Sequence, residues 1–291
     1  MVRARRVACV LALLLACTAA PAEARVVAQD TGQSSASVHR YWTGERMREA
    51  VPAERSRPDA RAGKGGTTTS GATSLEAPLP YPTAHGKVFF TENGVNYVCS
   101  GTALASTNES VVWTAGHCVN DGPGDFVTNF LFVPVYRDGA APYGRFAASR
   151  LLTTSGWQNS GDFGVDVGAA VVGANENGLS LNDAVGGRSI VFNATRNQTY
   201  KLYGYPAARK FSGQRMRLCD TAWSRNDAST DPDAMGVPCD MTGGSSGGGW
   251  ITSAGALASV VSYGYNGLKN VLFGPHQESA AQQLFNAAEA P

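Results

Sequence analysis

The chain has 291 residues and a formal net charge of +1. That length is enough for one large or two small domains, and the near-neutral balance argues against a nucleic-acid partner or an acidic tail. Charged residues make up only 16% and glycines number 34, a mix that favours a turn-rich β-protein over a helical one.

The first segment reads as an export signal. Arg3, Arg5 and Arg6 precede the apolar run VACVLALLLACTAA, residues 7–20, which is short for a bilayer span. Ala22-Glu23-Ala24 then offers a small-residue cleavage site, so residues 1–24 are expected to leave as a signal peptide and the protein to be secreted. Leu-Leu-Ala-Cys, ending at Cys17, loosely resembles a lipidation site, but Leu15 fits it poorly.

Residues 25–75 have a different texture. The stretch RSRPDARAGKGGTTTSGATS is polar and glycine-rich, with the composition of a disordered linker. Only VHRYWTGERMREAVP has an amphipathic, helical look. The segment is expected to be a pro-segment and linker; a plain surface linker would share its composition.

Residues 76–291 form the remaining domain. Short β-branched and aromatic runs alternate with Gly, Asn, Asp and Pro: KVFFTENGVNYVCSGTALA, SVVWTAGHCV, NFLFVPVY, VDVGAAVV, YKLYGYP and GGWITSAGALASVVSYGYNG. Asn93-Gly94 between two such runs predicts a hairpin. Recurrent strands with little helical periodicity between them predict an all-β barrel or sandwich. HQESAAQQLFNAAEA at the end predicts a C-terminal helix.

Cys9 and Cys17 fall in the signal, leaving Cys99, Cys118, Cys219 and Cys239. Four cysteines in an exported chain imply disulfides, with three possible pairings. The two local pairings each close a loop worth roughly 3 kcal/mol in the chain-entropy model. A zinc site lacks any CxxC pair, so no metal is expected.

The chemistry centres on MTGGSSGGGW, residues 241–250. A nucleophilic serine needs a base, an acid that holds the base, and donors for the oxyanion. Beyond residue 75 the histidines are His85, His117 and His276, with His39 in the pro-segment. His117 ends a buried-looking strand beside a cysteine.

WTAGHC resembles the histidine motif of chymotrypsin-like (trypsin-fold) serine proteases, usually Thr-Ala-Ala-His-Cys, with Gly116 as a departure. GGSSGGGW resembles that family's Gly-Asp-Ser-Gly-Gly-Pro motif, and VDVGAAVV its Asp-Ile-Ala-Leu strand. The order His117, Asp166, Ser246 is the family's order. The nearest branch looks like bacterial secreted glutamyl-endopeptidase-like or trypsin-like peptidases, and YWTGERM looks like pro-segments of secreted actinobacterial members. The resemblance spans about residues 80–291. It implies two six-stranded antiparallel β-barrels with a C-terminal helix.

It also implies a peptide-bond hydrolase working through an acyl-enzyme. Ser246 is the implied nucleophile, His117 the base, Asp166 the acid, and the N–H groups of Gly244 and Ser246 the oxyanion hole, worth about 3–4 kcal/mol per donor. Ser262, Tyr263 and Gly264 match the wall of the primary pocket, whose backbone pairs with the extended substrate. Asp240 falls where trypsin-like members keep a pocket-floor acid; a turn residue fixed by the neighbouring disulfide is the competing reading. Val261 stands where glutamate-specific relatives usually have His. Ser245 replaces an Asp that animal members pair with a new N-terminus, which implies a different role for the pro-segment: blocking or folding assistance. Gly249 replaces the usual Pro. No cofactor is needed, and the expected partners are protein or peptide substrates, with no nucleic acid, no membrane after signal cleavage, and a monomeric state.

Three rival readings remain. Asp162 lies four residues before Asp166, but a turn residue there is the simpler expectation. Gly244–Gly248 also satisfies the G-x-S-x-G elbow of α/β hydrolases, yet no Asp follows Ser246. A catalytically weak or inactive homologue that binds proteins through its cleft is the alternative from another class. The two local bridges, Cys99–Cys118 and Cys219–Cys239, are predicted because one adjoins the proposed base and the other fixes the loop leading to the nucleophile turn.

Overall fold

A computed structural model describes residues 26–53, 56–57 and 72–291; the expected signal peptide, residues 1–24, lies outside the described residues, as does most of the glycine-rich stretch. In chain order the first elements are β1 (Val26–Asp30), α1 (Ser35–Tyr41), α2 (Gly44–Glu49), β2 (Val51–Pro52), β3 (Ser56–Arg57) and β4 (Leu75–Glu76). The first half continues with β5 (His85–Glu92), β6 (Val95–Ala103), β7 (Val111–Thr114), β8 (Thr128–Pro134), β9 (Phe146–Thr154), α3 (Ser155–Ser160), β10 (Gly168–Val172) and α4 (Leu181–Val185). The second half holds β11 (Thr199–Gly204), β12 (Arg217–Ala222), β13 (Arg225–Asp227), β14 (Ala234–Pro238), β15 (Gly249–Thr252), β16 (Leu257–Val260), β17 (Tyr263–Tyr265), β18 (Leu268–Gly274) and α5 (Ser279–Glu289).

The first half closes on itself. The ladder runs β9-β10-β7-β6-β5-β8 and returns through Leu131↔Ala147 and Phe132↔Phe146 between β8 and β9. The β5–β6 hairpin turns at Asn93-Gly94, both with positive φ, as this dipeptide allows. Alternate side chains fill the barrel: Val88, Val112 and Phe132 meet around Gly101 and are buried, each worth about 1.5–3 kcal/mol relative to exposure, while Trp113 packs on the outer face against Phe285 of the C-terminal helix.

The second half is two five-stranded sheets, β16-β15-β11-β12-β4 and β13-β14-β18-β17-β3. No ladder pairing joins them among the described residues; the Cys219–Cys239 bridge does, linking β12 to the residue after β14. The C-terminal helix α5 buries Ala281, Leu284 and Ala288. The all-β class, the closed six-stranded barrel and the terminal helix agree with the sequence expectation. No described helix is long and apolar enough to cross a membrane.

Residues 26–53 form a packed layer on the first barrel, which their composition does not suggest. β1 extends the edge of β9 from Thr154 to Arg150, beyond the point where β8 leaves it. The two short helices carry caps, Ser34 Oγ accepting from the Ser37 N–H and Thr43 Oγ1 from the Arg46 N–H. They bury Val38, Trp42 and Met47, and the Trp42 indole N–H donates to the Asn129 carbonyl at 2.6 Å.

Candidate active site

His117 sits in the 3-10 turn Gly116–Cys118 that ends β7. Asp166 follows a second such turn, Phe163–Val165, and leads into β10, the neighbour of β7. The ladder therefore brings residues 49 positions apart into contact. The His117 Nδ1 and Asp166 Oδ2 lie 2.8 Å apart, and the His117 backbone N–H donates to Asp166 Oδ1 at 2.9 Å. Ser262 Oγ donates to Asp166 Oδ2 at 2.5 Å. Burial of Asp166 would raise its pKa, but the His117 charge and these hydrogen bonds outweigh it and hold the carboxyl below its ordinary value. Asp162 instead caps its turn, accepting from the Gly164 N–H.

Gly116 has a local reason. A Cβ there would meet Asp166 Oδ1 at 2.8 Å and the Trp157 ring at 2.9 Å. Trp157 is buried close to the His117 ring, with its indole N–H on the Asn120 carbonyl. Cys99 and Cys118 sulfurs and His117 could in principle gather round a metal, but the sulfurs are bonded to one another.

Ser246 occupies the turn between β14 and β15. The turn needs Gly244 at φ +93°, and a Cβ there would strike the Tyr205 carbonyl at 2.7 Å. Ser100, on β6 of the first barrel, clamps it: its backbone N–H donates to the Ser246 carbonyl at 2.7 Å and its Oγ to the Gly244 carbonyl at 2.8 Å. That turns the carbonyls inward and leaves the Gly244 N–H facing the cleft. Ser100 has no local sequence signal, and Ser262, singled out for the pocket wall, has none for its bond to Asp166, because each acts across a seam that only the fold creates.

What occupies the cleft is Ala53, at the end of the N-terminal layer. The Ala53 carbonyl accepts from the Gly244 N–H at 3.2 Å and from Ser246 Oγ at 3.4 Å. His117 Nε2 is buried with no hydrogen-bond partner among the described residues. The structure thus joins His117 to Asp166 and directs the Ser246 hydroxyl to Ala53.

Beside Ser246 lies a cavity of about 100 Å³ between Cys239–Thr242 and Val261–Tyr265. Asp240 is on its lining but is engaged. Its Oδ1 accepts from the Ser74 N–H and its Oδ2 from Lys210 Nζ, both at 2.7 Å. Tyr263 lines the same cavity but sends its hydroxyl to Asp227 at 2.6 Å.

Two solved structures share this chain over most of its length. Protease Anisep from Arthrobacter nicotinovorans is 42% identical with a TM-score of 0.70, the match covering 74% of this chain and 99% of that one. The thermostable serine protease AL20 from an extremophilic microorganism is 44% identical with a TM-score of 0.67, covering 72% and 97%. A Glu endopeptidase at 21% identity and TM-score 0.61 shares the fold. No protein-family model matches the chain, nor does any curated protein. The chain belongs to the trypsin-like family of bacterial serine proteases. It is, accordingly, a serine endopeptidase.

Proposed function

We propose that this protein is a secreted endopeptidase, made as a precursor, that cleaves peptide bonds through an acyl-enzyme. Ser246 attacks the carbonyl carbon while His117 takes its proton; His117 then protonates the leaving amine, and water repeats the cycle on the ester. Asp166 keeps the His117 ring in the tautomer that presents a bare Nε2, and Ser262 and the His117 backbone N–H hold Asp166. The Gly244 N–H stabilises the oxyanion, with the Ser246 N–H as the second donor. The observation that carries this reading is the Asp166–His117 pair beside a serine whose turn already presents an N–H to a carbonyl oxygen. The precursor reading is supported by the unmatched quarter or so of the chain, since the Anisep match takes in 74% of it.

For substrate preference, Asp240 carries its charge paired with Lys210, which argues against a free acid waiting for an Arg or Lys side chain. The testing experiment is fluorophosphonate labelling of the processed protein. Rapid labelling at Ser246, abolished in Ser246→Ala, is expected; a processed protein that stays unlabelled would instead be the inactive homologue that binds through its cleft.

A further inference from the structure

The pro-segment crosses the cleft as two short strands. Val51-Pro52 pairs parallel with Tyr97-Val98 of β6, and the Ala53 N–H donates to the Val98 carbonyl at 3.0 Å. Ser56-Arg57 pairs parallel with Gly264-Tyr265 of β17, and the Asn266 N–H reaches the Arg57 carbonyl at 3.4 Å. The chain therefore travels from β6 to β17, passing the Ala53 carbonyl over Gly244 and Ser246.

A substrate must travel the other way. The residue that donates its acyl group places its side chain in the cavity walled by Ser262–Gly264, so its backbone lies along β17. The departing amine then lies on the β6 side. Such a chain is antiparallel to both strands, where the pro-segment is parallel to both. In the pro-segment the nitrogen that would have to leave Ala53 heads the part of the chain held on β17, the acyl side. The cavity lining includes none of the described pro-segment residues.

Arg57 fixes the far end. Its guanidinium donates to Ser229 Oγ at 2.9 Å and the Tyr265 hydroxyl at 3.2 Å, and lies 3.5 Å from Asp227 Oδ2. The rings of Phe163, Tyr263 and Tyr265 stand 5.2–5.6 Å from it. An acid backed by three aromatic faces is a guanidinium site, since charge, planarity and ring quadrupoles all favour the planar cation.

We propose that Val51–Ala53 and Ser56–Arg57 form an inhibitory strap lying across the active site in the direction opposite to a substrate. Its Ala53 carbonyl fills the oxyanion hole and its Arg57 guanidinium is locked in the Asp227 cage. This rests on the catalytic reading of Ser246, His117 and Asp166. The strap blocks in three ways: it takes the Gly244 donor, draws the Ser246 hydroxyl away from the base, and covers both edges a substrate would use. Its reversed polarity keeps it from being consumed as a substrate.

The test uses the full chain. Fluorophosphonate labelling is timed for the uncut wild-type precursor, for Arg57→Glu and Arg57→Gln precursors, and for processed wild-type protein. Thermal melts and disulfide maps check that the variants are folded. Loss of one charge-assisted anchor should speed labelling of the uncut chain by roughly tenfold or more, with processed protein faster still. Folded Arg57 variants that label no faster than the wild-type precursor, while processed protein labels readily, would overturn the strap and leave the catalytic reading standing. Processed protein that also fails to label would overturn both. Mass spectrometry of incubated precursor checks direction: the Ala53–Glu54 bond should stay intact, and prompt cutting there would mean a forward-bound chain.

Discussion

The two halves of the molecule hold their shares of the site by different means. The first is one closed ladder, and the largest hydrophobic cluster runs through it, taking in Val38 and Trp42 of the N-terminal layer and reaching Tyr203, Tyr205 and Leu257 of the second half. The second is two sheets with smaller clusters of its own, one around Leu202, Trp250 and the Cys219–Cys239 bridge and another under Tyr263, Tyr265 and Phe273. His117 and Asp166 stand on the closed half; Ser246, the cavity and the Arg57 cage stand on the divided one. A base and its acid must keep one separation, and a closed ladder fixes it. A cavity must admit side chains, and the room lies between the nucleophile turn and the strands β17 and β18. The nucleophile on the divided half is then referred to the rigid half by the Ser100 clamp.

The sharpest break is at the nucleophile. Ser246→Ala in the processed protein should lower kcat by on the order of 10⁶ with the fold unchanged, read by peptide hydrolysis and a thermal melt. If more than a few per cent of activity survives, Ser245 becomes the candidate, although its Oγ donates to the Thr242 carbonyl at 2.7 Å. On the closed half, Asp166→Asn should cost about 10⁴ in kcat. The Asn oxygen can keep the His117 backbone N–H or the ring, but its NH₂ facing Nδ1 favours the wrong tautomer. Loss of less than about tenfold would mean that His117 is oriented by something other than this pair.

How much of this was legible in the sequence follows from range. Motifs whose chemistry lies within a few residues were readable: the glycines that let Gly244 take φ +93°, the strand end carrying His117, the Asn93-Gly94 turn. The pairs that cross the seam were not. Nothing near Ser100 marks it as the clamp of a turn 144 residues away, and Asp240 reads as a pocket acid until Lys210 and Ser74 are found on it. The polar texture of residues 25–75 hid a layer whose order comes from pairing with β9 and β6. Short edge strands gain register from a partner, not from their own alternation.

The disulfides compare the halves directly. Cys99–Cys118 lies within the closed half, where β6 and β7 already pair at Thr102↔Trp113 and Ala103↔Val112. Cys219–Cys239 spans two sheets with no ladder between them among the described residues. Loops of similar length, 19 and 20 residues apart in sequence, give similar chain-entropy gains of about 2–4 kcal/mol. The double variant Cys219→Ser/Cys239→Ser should therefore lose more stability than Cys99→Ser/Cys118→Ser, the excess reflecting the missing ladder. Denaturant melts of both decide it, and an equal loss would mean that side-chain packing alone unites the two sheets.

The seam itself carries a pH dependence. Lys87 on β5 is buried and donates from Nζ to the Gly213 carbonyl of the second half at 2.8 Å, with the Phe89 and Tyr136 rings 5.0 and 4.8 Å away. Burial pulls its pKa down to about 7, from an ordinary lysine value of about 10.4. Between those values the unfolded chain holds a proton that the folded chain has released, so stability rises with pH across that window. Below about pH 7 both states are protonated and the cost of burying the charge is fully present. In Lys87→Met that cost is gone, along with the bond to Gly213. The wild type should therefore gain on the variant by at most about 1.4 kcal/mol per pH unit from roughly pH 7 to 10. Taking the difference between the two proteins cancels groups common to both. Chemical denaturation at three pH values reads it, and a difference independent of pH would mean that Lys87 keeps its proton in the fold, held by the Gly213 carbonyl and the two ring faces.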